Sequence, residues 1–326
     1  MTDVAAWRPT ASREALESRA RQLAWVRGFF AQRGVLEVET PVLGHHGASD
    51  LNIDSVRASV LPVAAAPATT AWLQTSPEYH MKRLLAAGSG PIFQVARVFR
   101  DGERGNRHNP EFSLLEWYRP DFDDRDLMDE VARLVCGWLE CEWPEIHSYR
   151  DVMRRYAGID PFAATDREIA RRCEEWLDPA EFPGMARDGY LDLLMSYCVE
   201  PALRRSGPTF ITHYPASQAA LARVSTDGDG YPVAHRFELY VNGIELCNGY
   251  WELTDPDEQA RRFAADNAAR KRAGKVGMPA DQNLLAALAA GMPCCAGVAL
   301  GLDRLLMLKL GTRDIADVLA FPFERA

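Results

Sequence analysis

The sequence predicts a mixed fold of the α+β kind, and three observations predict it. Residues 93–118 hold two apolar runs, Phe93 to Val98 and Phe112 to Leu115, on either side of a polar loop with two glycines, which is a hairpin pattern. A second hairpin is signalled by Asn242-Gly243 between the apolar runs of residues 236–253, because an Asn-Gly pair readily takes the positive φ angles of a tight turn between twisted strands. Elsewhere apolar residues recur at helical spacing, as at Leu16, Ala20, Leu23, Val26 and Phe30. Antiparallel pairs set among amphipathic helices satisfy all three.

The elements follow in order. Ser12 caps the first helix and Gly34 ends it. Residues 35–43 read as a strand whose Pro41 suits an edge or an interface. Residues 44–70, rich in Gly, Ala, Pro and Ser, read as loops and short strands. Pro77 is placed to start a helix, with Ser76 as its cap and Glu78 in the first turn, where a carboxylate favours the positive end of the dipole. Further helices are expected over 127–139, 165–177 and 191–203, separated by loops at Pro161, Pro179 and Pro183. Residues 208–215 form a β-branched and aromatic strand in which His213 reads as a packed or hydrogen-bonded residue rather than a ligand. A polar helix over 256–273, a loop over 274–279 and a small-residue strand from Cys295 running into a helix near Asp303 complete the chain.

At 326 residues, 47% of them hydrophobic, the chain can bury a sizeable core, and one domain over 1–326 is expected. The net charge of −9 and a pI near 5.4 give no overall basic field for nucleic acid, although a local patch remains compatible with them. The cysteines at 136, 141, 173, 198, 247, 294 and 295 form no CxxC pair, so neither a zinc site nor a disulfide framework is indicated and reduced thiols are expected. The N-terminal residues lack a signal-peptide pattern, and no apolar window reaches the ~18 residues of a membrane span. The expected location is the cytoplasm.

Three stretches carry chemistry. The 93–118 hairpin places Arg100, His108, Glu111, Glu116 and Tyr118 on its interior faces, and buried charge must be paired or meet a ligand; a salt-bridged surface hairpin is the competing reading. Glu238 and Glu245 fall on adjoining strands, where a cation would relieve their repulsion; Mg²⁺ on a nucleoside triphosphate uses one or two carboxylates plus phosphate oxygens. Solvent-facing positions are the alternative there. Gly297, Ala299 and Gly301 at alternate positions of a strand let another molecule lie close.

Phe99-Arg100, seven residues, His108-Asn-Pro-Glu-Phe112 and then Glu116-Trp-Tyr118 resemble motif 2 of the class II aminoacyl-tRNA synthetases, in particular the lysyl branch. The first helix with Thr40-Pro41 resembles motif 1, and Gly301-Leu-Asp-Arg304 resembles motif 3, so the likeness runs from residue 12 to 326. It implies a class II catalytic fold, a central antiparallel sheet flanked by helices, and a homodimer through motif 1. It also implies ATP and Mg²⁺, with Arg100 and Arg304 as catalytic groups on the α- and γ-phosphates. Asp101, Gly102, Glu103, His108, Asn109, Phe112, Glu245, Leu246 and Gly301 are then expected at the nucleotide, with Phe112 stacked on adenine, and Glu238 and Glu245 at the metal. The amino acid would meet Ser76, Pro77, Glu78, Glu116 and Ala299, with Asn248 at its carboxylate and Glu252, alongside Tyr118, at a distal ammonium.

Two departures stand out. The family's Arg-x-Glu reads Arg100-Asp101-Gly102, with the carboxylate one place later at Glu103, and its Gly-x-Gly reads Gly297-Val298-Ala299, which adds a methyl group to the amino acid pocket. Lysyl-tRNA synthetases also carry an N-terminal β-barrel domain that grips the anticodon, whereas motif 1 begins here almost at the first residue. No anticodon-binding domain and no tRNA partner are therefore expected. The likeness is to the stand-alone paralogues that attach lysine or β-lysine to a lysine of elongation factor P. A truncated enzyme charging a tRNA or tRNA-like RNA, and a catalytically idle regulatory paralogue, are the other readings. The set Arg100, Glu238, Glu245 and Arg304 argues against the last of these.

Overall fold

Ser12 caps helix α1 (Arg13–Ala31) by accepting a hydrogen bond from the Ala15 N–H, in a computed structural model that describes residues 7–61, 68–176, 178 and 185–326. The described residues divide into two compact units: residues up to Asp121 together with Thr254–Ala326, and Phe122–Leu253. In the first unit, α1 buries Ala15, Ser18, Gln22, Val26, Phe29 and Phe30, which agrees with the apolar spacing at Val26 and Phe30 but not nearer the N-terminus. Leu16 and Ala20 face outward, Leu16 at 42% exposure. The reason is Gln22, whose side-chain amide donates to the Leu302 carbonyl at 3.0 Å and so lets a polar residue hold a buried position.

The strand expected over 35–43 is a correction: only two short pieces form, β1 (Leu36–Glu37) and β2 (Leu43–Gly44). Pro41 between them has no N–H to add to a ladder. Strand β2 joins β3 (Arg57–Val60) and β4 (Thr69–Leu73) in a small separate sheet. Helix α2 (Glu78–Ala86) has Pro77, not Ser76, at its cap position; the Ser76 hydroxyl instead accepts from the Glu78 N–H at 3.0 Å.

Strands β5 (Ile92–Phe99) and β6 (Glu111–Pro120) form the expected antiparallel hairpin, and β1 runs parallel to β5 at its edge. Phe93 and Trp117 pack on Phe30 of α1, with ring centroids 4.4 and 5.3 Å away. The register Val98↔Phe112, Ala96↔Leu114, Gln94↔Glu116 and Ile92↔Tyr118 puts those residues on the opposite face. Glu111 is not interior as expected. It opens β6 on the other side of the pleat, exposed, with Arg97 at 3.9 Å.

In the second unit, α3 (Asp124–Leu139) starts with a capping box between Asp123 and Asp126, and β7 (Glu145–Ser148) and α4 (Tyr149–Val152) follow. Helix α5 (Asp166–Cys173) is capped by Thr165; Leu177, Pro179 and Pro183 lie outside the described residues. The helix expected over 191–203 is α6 (Arg187–Leu194), a π-helical turn Met195–Val199 and α7 (Glu200–Leu203). Strands β8 (Thr209–Pro215), β9 (Val224–Thr226), β10 (Pro232–Val241) and β11 (Ile244–Trp251) complete the unit. Strand β10 pairs with β8, β9 and β11, all antiparallel, and β7 lies parallel to β8. The Asn242-Gly243 turn forms as expected, with φ values of 52° and 67°. Gly243 is required twice over, because a Cβ there would also lie 2.4 Å from the Glu200 carbonyl oxygen.

The first unit resumes with α8 (Pro256–Arg272), α9 (Gln282–Gly291), β12 (Cys295–Gly301) and α10 (Leu302–Leu310). Strand β12 pairs antiparallel with β6, setting Gly297 opposite Tyr118, Ala299 opposite Glu116 and Gly301 opposite Leu114. That alignment brings the small-residue strand beside the polar face of the hairpin. Among the described residues no helix is long and apolar enough to cross a membrane.

Candidate active site

In the first unit the β5, β6 and β12 face gathers Glu116, Tyr118, Ala299 and Gly301. Glu116 is 2% exposed; it accepts from the Ser76 hydroxyl at 2.6 Å and from the Tyr118 hydroxyl at 2.7 Å. Burial, with the Glu78 carboxylate nearby, pushes its carboxyl up to about 7, against the pull of those two hydrogen bonds and of Lys82. Lys82 is 1% exposed and donates to Glu78 at 2.6 Å. A buried ammonium with two carboxylates leaves this corner short of one positive charge when both acids are ionised. Lys82 was missed in the sequence, where its i, i+4 spacing from Glu78 was the available signal.

The nucleotide residues expected around Arg100 fall into two kinds. The Arg100 guanidinium lies 5.1 Å from the Phe112 ring and 3.6 Å from Glu103, and its buried Nε has no hydrogen-bond partner among the described residues. Gly102 sits at φ +78°, a backbone state that disfavours a glutamate there, and Glu103 supplies the carboxylate to Arg100 instead. Arg304 donates to Nε2 of His108 at 2.7 Å. That bond needs a neutral imidazole, and partial burial and the Arg304 charge hold His108 below its usual range. By contrast, Asn109 and Asp101 act on backbone. The Asn109 amide spans the Glu111 carbonyl and the Phe323 N–H, at 2.6 and 3.0 Å, and the Asp101 N–H donates to the Asp54 carbonyl at 2.7 Å. Ala299 packs with Phe112 against Ala96, Val98 and Leu114. A Cβ at Gly301 would meet nothing nearer than the Arg304 Cδ at 3.7 Å.

In the second unit, Glu238 stands opposite Asn248 and Tyr240 opposite Glu245. Leu246 is the extra residue of a bulge there and its side chain is buried, which leaves its backbone as the part able to meet a ligand. Glu238 is 6% exposed, and its carboxylate accepts from the Arg236 guanidinium and from the Tyr214 and Tyr240 hydroxyls, the latter two at 2.6 Å each. Three donors hold the Glu238 carboxylate, two of them on Oε2, whereas Glu245 is half-buried. Arg236, Tyr214 and Tyr240 were not anticipated from the sequence. Arg236 also donates to the Asn248 side-chain oxygen at 3.2 Å, which turns the amide N–H₂ outward as a donor. Glu252 is fully buried, with its backbone carbonyl accepting from Arg223 at 3.1 Å. Among the described residues no group of three or more His, Cys, Asp or Glu is arranged to hold a metal alone.

Comparison with known proteins gives a consistent picture. Residues 3–325 match the tRNA synthetases class II (D, K and N). The chain is 47% identical over 321 residues to the elongation factor P--(R)-beta-lysine ligase of Pasteurella multocida, covering 98% of each chain. It is 48% identical over 328 residues to the protein of the same name from Photorhabdus laumondii, and 47% identical over 329 residues to that of Mannheimia succiniciproducens, covering 100% of each chain in both cases.

Proposed function

Because this chain belongs to the class II tRNA synthetases of the D, K and N type, we propose that it is an ATP-dependent ligase that activates (R)-β-lysine, or lysine, as an aminoacyl-adenylate and transfers it to a lysine side chain of elongation factor P. The observation that carries this reading is the end-to-end identity of 47–48% with relatives named for that activity. The test is to incubate the protein with ATP, labelled (R)-β-lysine or lysine, and either total tRNA or elongation factor P. Label on elongation factor P is the expected result; label on tRNA alone would overturn the reading in favour of a truncated tRNA-charging enzyme.

The substrate carboxylate is ionised at neutral pH and needs no general base to attack the α-phosphorus of ATP, from which pyrophosphate leaves. Positioning and charge neutralisation do the rest. Arg100 meets the α-phosphate and the carboxylate, Phe112 stacks on adenine, and Arg304, braced on neutral His108, meets the γ-phosphate. Glu245 would hold Mg²⁺, which when bound neutralises phosphate charge. Glu116, oriented by Ser76 and Tyr118, receives the substrate ammonium next to Glu78. Tyr118 thus serves the amino end of the substrate, and Glu252 serves the distal ammonium. In the second step the acceptor amine, with an ordinary pKa of ~10.4, attacks as the free base and AMP leaves.

Glu116 gives this assignment a pH signature. Adenylation kcat/KM for the amino acid should fall on the acid side with a midpoint near 7, because the free enzyme must ionise Glu116 to take the ammonium. Stability runs the opposite way. A carboxyl raised from 4.5 to about 7 on folding contributes stability that is complete below 4.5 and lost as pH rises through about 7. Glu116→Gln should therefore raise the melting temperature at about pH 8 and leave it unchanged near pH 4, while destroying adenylation. A flat acid limb, or equal melting shifts at both pH values, would remove Glu116 from this role.

Ala299 stands opposite Glu116, so its methyl group borders the place given to the amino group. In β-lysine that group has moved one carbon from the carboxylate, and crowding at the α-carbon disfavours α-lysine more. A methylene-sized difference is worth about 10- to 200-fold. Ala299→Gly should raise kcat/KM for α-lysine adenylation and hardly change that for β-lysine; an unchanged ratio between the isomers would show that selection lies elsewhere.

The same reading makes the protein a cytoplasmic homodimer. The outward stripe of α1 with Leu16, together with Trp25, Leu36 and Leu43, exposed by 37–58%, suits a self-complementary apolar interface. Sedimentation equilibrium should give a dimer for the wild type and a monomer for Leu16→Asp/Leu36→Asp, and a wild-type monomer at about micromolar concentration would refute the dimer. Recovery of the protein outside the cytoplasm on cell fractionation would refute the location.

A further inference from the structure

The second unit holds a cluster of nucleophilic and titratable groups that the ligase reaction does not use. His235 on β10 places its Nδ1 3.1 Å from Oδ2 of Asp124, the first residue of α3, and its Nε2 2.9 Å from the hydroxyl of Ser225 on β9. Two neighbouring strands and a helix more than 100 residues earlier therefore supply a hydroxyl, an imidazole and an acid hydrogen-bonded in series. The acid is sheltered and the hydroxyl is exposed: the Asp124 side chain is 11% accessible, that of His235 is 18%, and Ser225 lies at the surface. Trp251 stands edge-on to the imidazole, with centroids 5.0 Å apart, and fixes the ring plane.

The network sets the tautomer. Burial alone would raise the Asp124 carboxyl, but the hydrogen bond from His235 and one from a backbone N–H hold it below its usual value, so it is ionised and can only accept. The proton of the neutral imidazole therefore sits on Nδ1, and Nε2 is left to accept from the Ser225 O–H. A histidine that merely tied α3 to β10 would need only the first bond. The second bond is the arrangement that makes a serine hydroxyl a nucleophile. A donor for the developing oxyanion is also at hand. His235 donates its N–H to the Arg223 carbonyl, and Ser225 pairs with Val233, so the intervening register turns the N–H of Thr226 away from β10, toward the outer edge of β9 and next to Ser225.

We propose that Asp124, His235 and Ser225 form a second catalytic site, a surface serine hydrolase centre acting on small, activated carboxylic esters. The Ser225 oxygen bonds to the ester carbonyl carbon while its proton passes to Nε2 of His235, and the Nδ1 proton stays between His235 and Asp124. Collapse of the tetrahedral adduct breaks the bond to the leaving alcohol, which takes the proton from Nε2. Water then repeats the sequence on the acyl-serine, releasing the acid and restoring the hydroxyl. No metal, oxidant or nucleotide enters the balance, and the site stands or falls separately from the ligase reading.

The test uses the full-length protein with a fluorophosphonate probe and with p-nitrophenyl acetate. Covalent labelling located at Ser225 by peptide mass spectrometry is expected, with ester hydrolysis that disappears in Ser225→Ala. His235→Ala should slow both reactions at least ~100-fold, and added imidazole should restore part of the rate, which a bracing role alone would not allow. Asp124→Asn should slow them by a similar factor through the wrong tautomer; ATP–pyrophosphate exchange at the wild-type rate in Ser225→Ala and His235→Ala reports that these variants fold. The proposal is overturned by an absence of label under excess probe, by label at another residue, or by label at Ser225 whose rate is unchanged in His235→Ala.

Discussion

Replacing Arg100 with alanine is expected to abolish amino-acid-dependent ATP–pyrophosphate exchange, a loss of about 100- to 1,000-fold or more. Removing one preorganised charge at a reacting centre typically costs ~3 kcal/mol of barrier. Arg100 meets the structural requirement for such a role. It stands just past the end of β5, its main-chain N–H is fixed by the Pro110 carbonyl at 2.9 Å, and its ring neighbour Phe112 lies 5.1 Å away. Its ion-pair partner Glu103 is at 3.6 Å, too far for a tight pair, and the buried Nε has no partner among the described residues. A guanidinium held in place but weakly engaged is ready to meet a phosphate without first breaking a strong internal bond. Lysine at this position should rescue little, since it offers a point charge and no planar fork. Exchange by Arg100→Ala within tenfold of the wild type, with lysine and β-lysine both tried, would take Arg100 out of the first step.

The contrast between Arg100 and Glu238 marks how far this site was legible in the sequence. Both were singled out as charged residues on hairpins, and both hairpins form with the turn and register that alternation and Asn-Gly predict. What a hairpin pattern cannot carry is who stands above the strand. Tyr240 is two residues along β10 from Glu238, but Tyr214 closes over it because β8 pairs with β10, a contact between segments more than 20 residues apart in the chain. The first turns of α1 depart from the apolar spacing for a related reason: Gln22 is inside because a carbonyl of α10, 280 residues away, accepts its amide. The departure at Gly102 went the other way. Read as a carboxylate displaced by one place, it is a left-handed turn residue with Glu103 facing Arg100, and only the backbone angle reveals the turn. Periodicity reports the elements and their faces; long-range polar partners decide which of the singled-out charges remain available.

Glu252 is expected to make the enzyme reject norleucine, which lacks only the terminal ammonium of lysine, by at least ~100-fold in adenylation kcat/KM. The argument rests on burial. Glu252 is wholly inaccessible at the end of β11, held through its backbone by the Arg223 side chain and by a bridge to Ala222. At so buried a carboxylate, a ligand that brings a methyl group in place of an ammonium forfeits a charge-assisted hydrogen bond. A substrate ammonium makes that bond, so discrimination comes mainly from the penalty on the wrong ligand rather than from extra affinity for the right one. Glu252→Gln should narrow the gap between lysine and norleucine by lowering the rate with lysine and raising that with norleucine. The measurement is pyrophosphate exchange over a concentration series of each amino acid with both proteins. Comparable kcat/KM for the two amino acids in the wild type would show that Glu252 holds the β11 end in place and does not read the side chain.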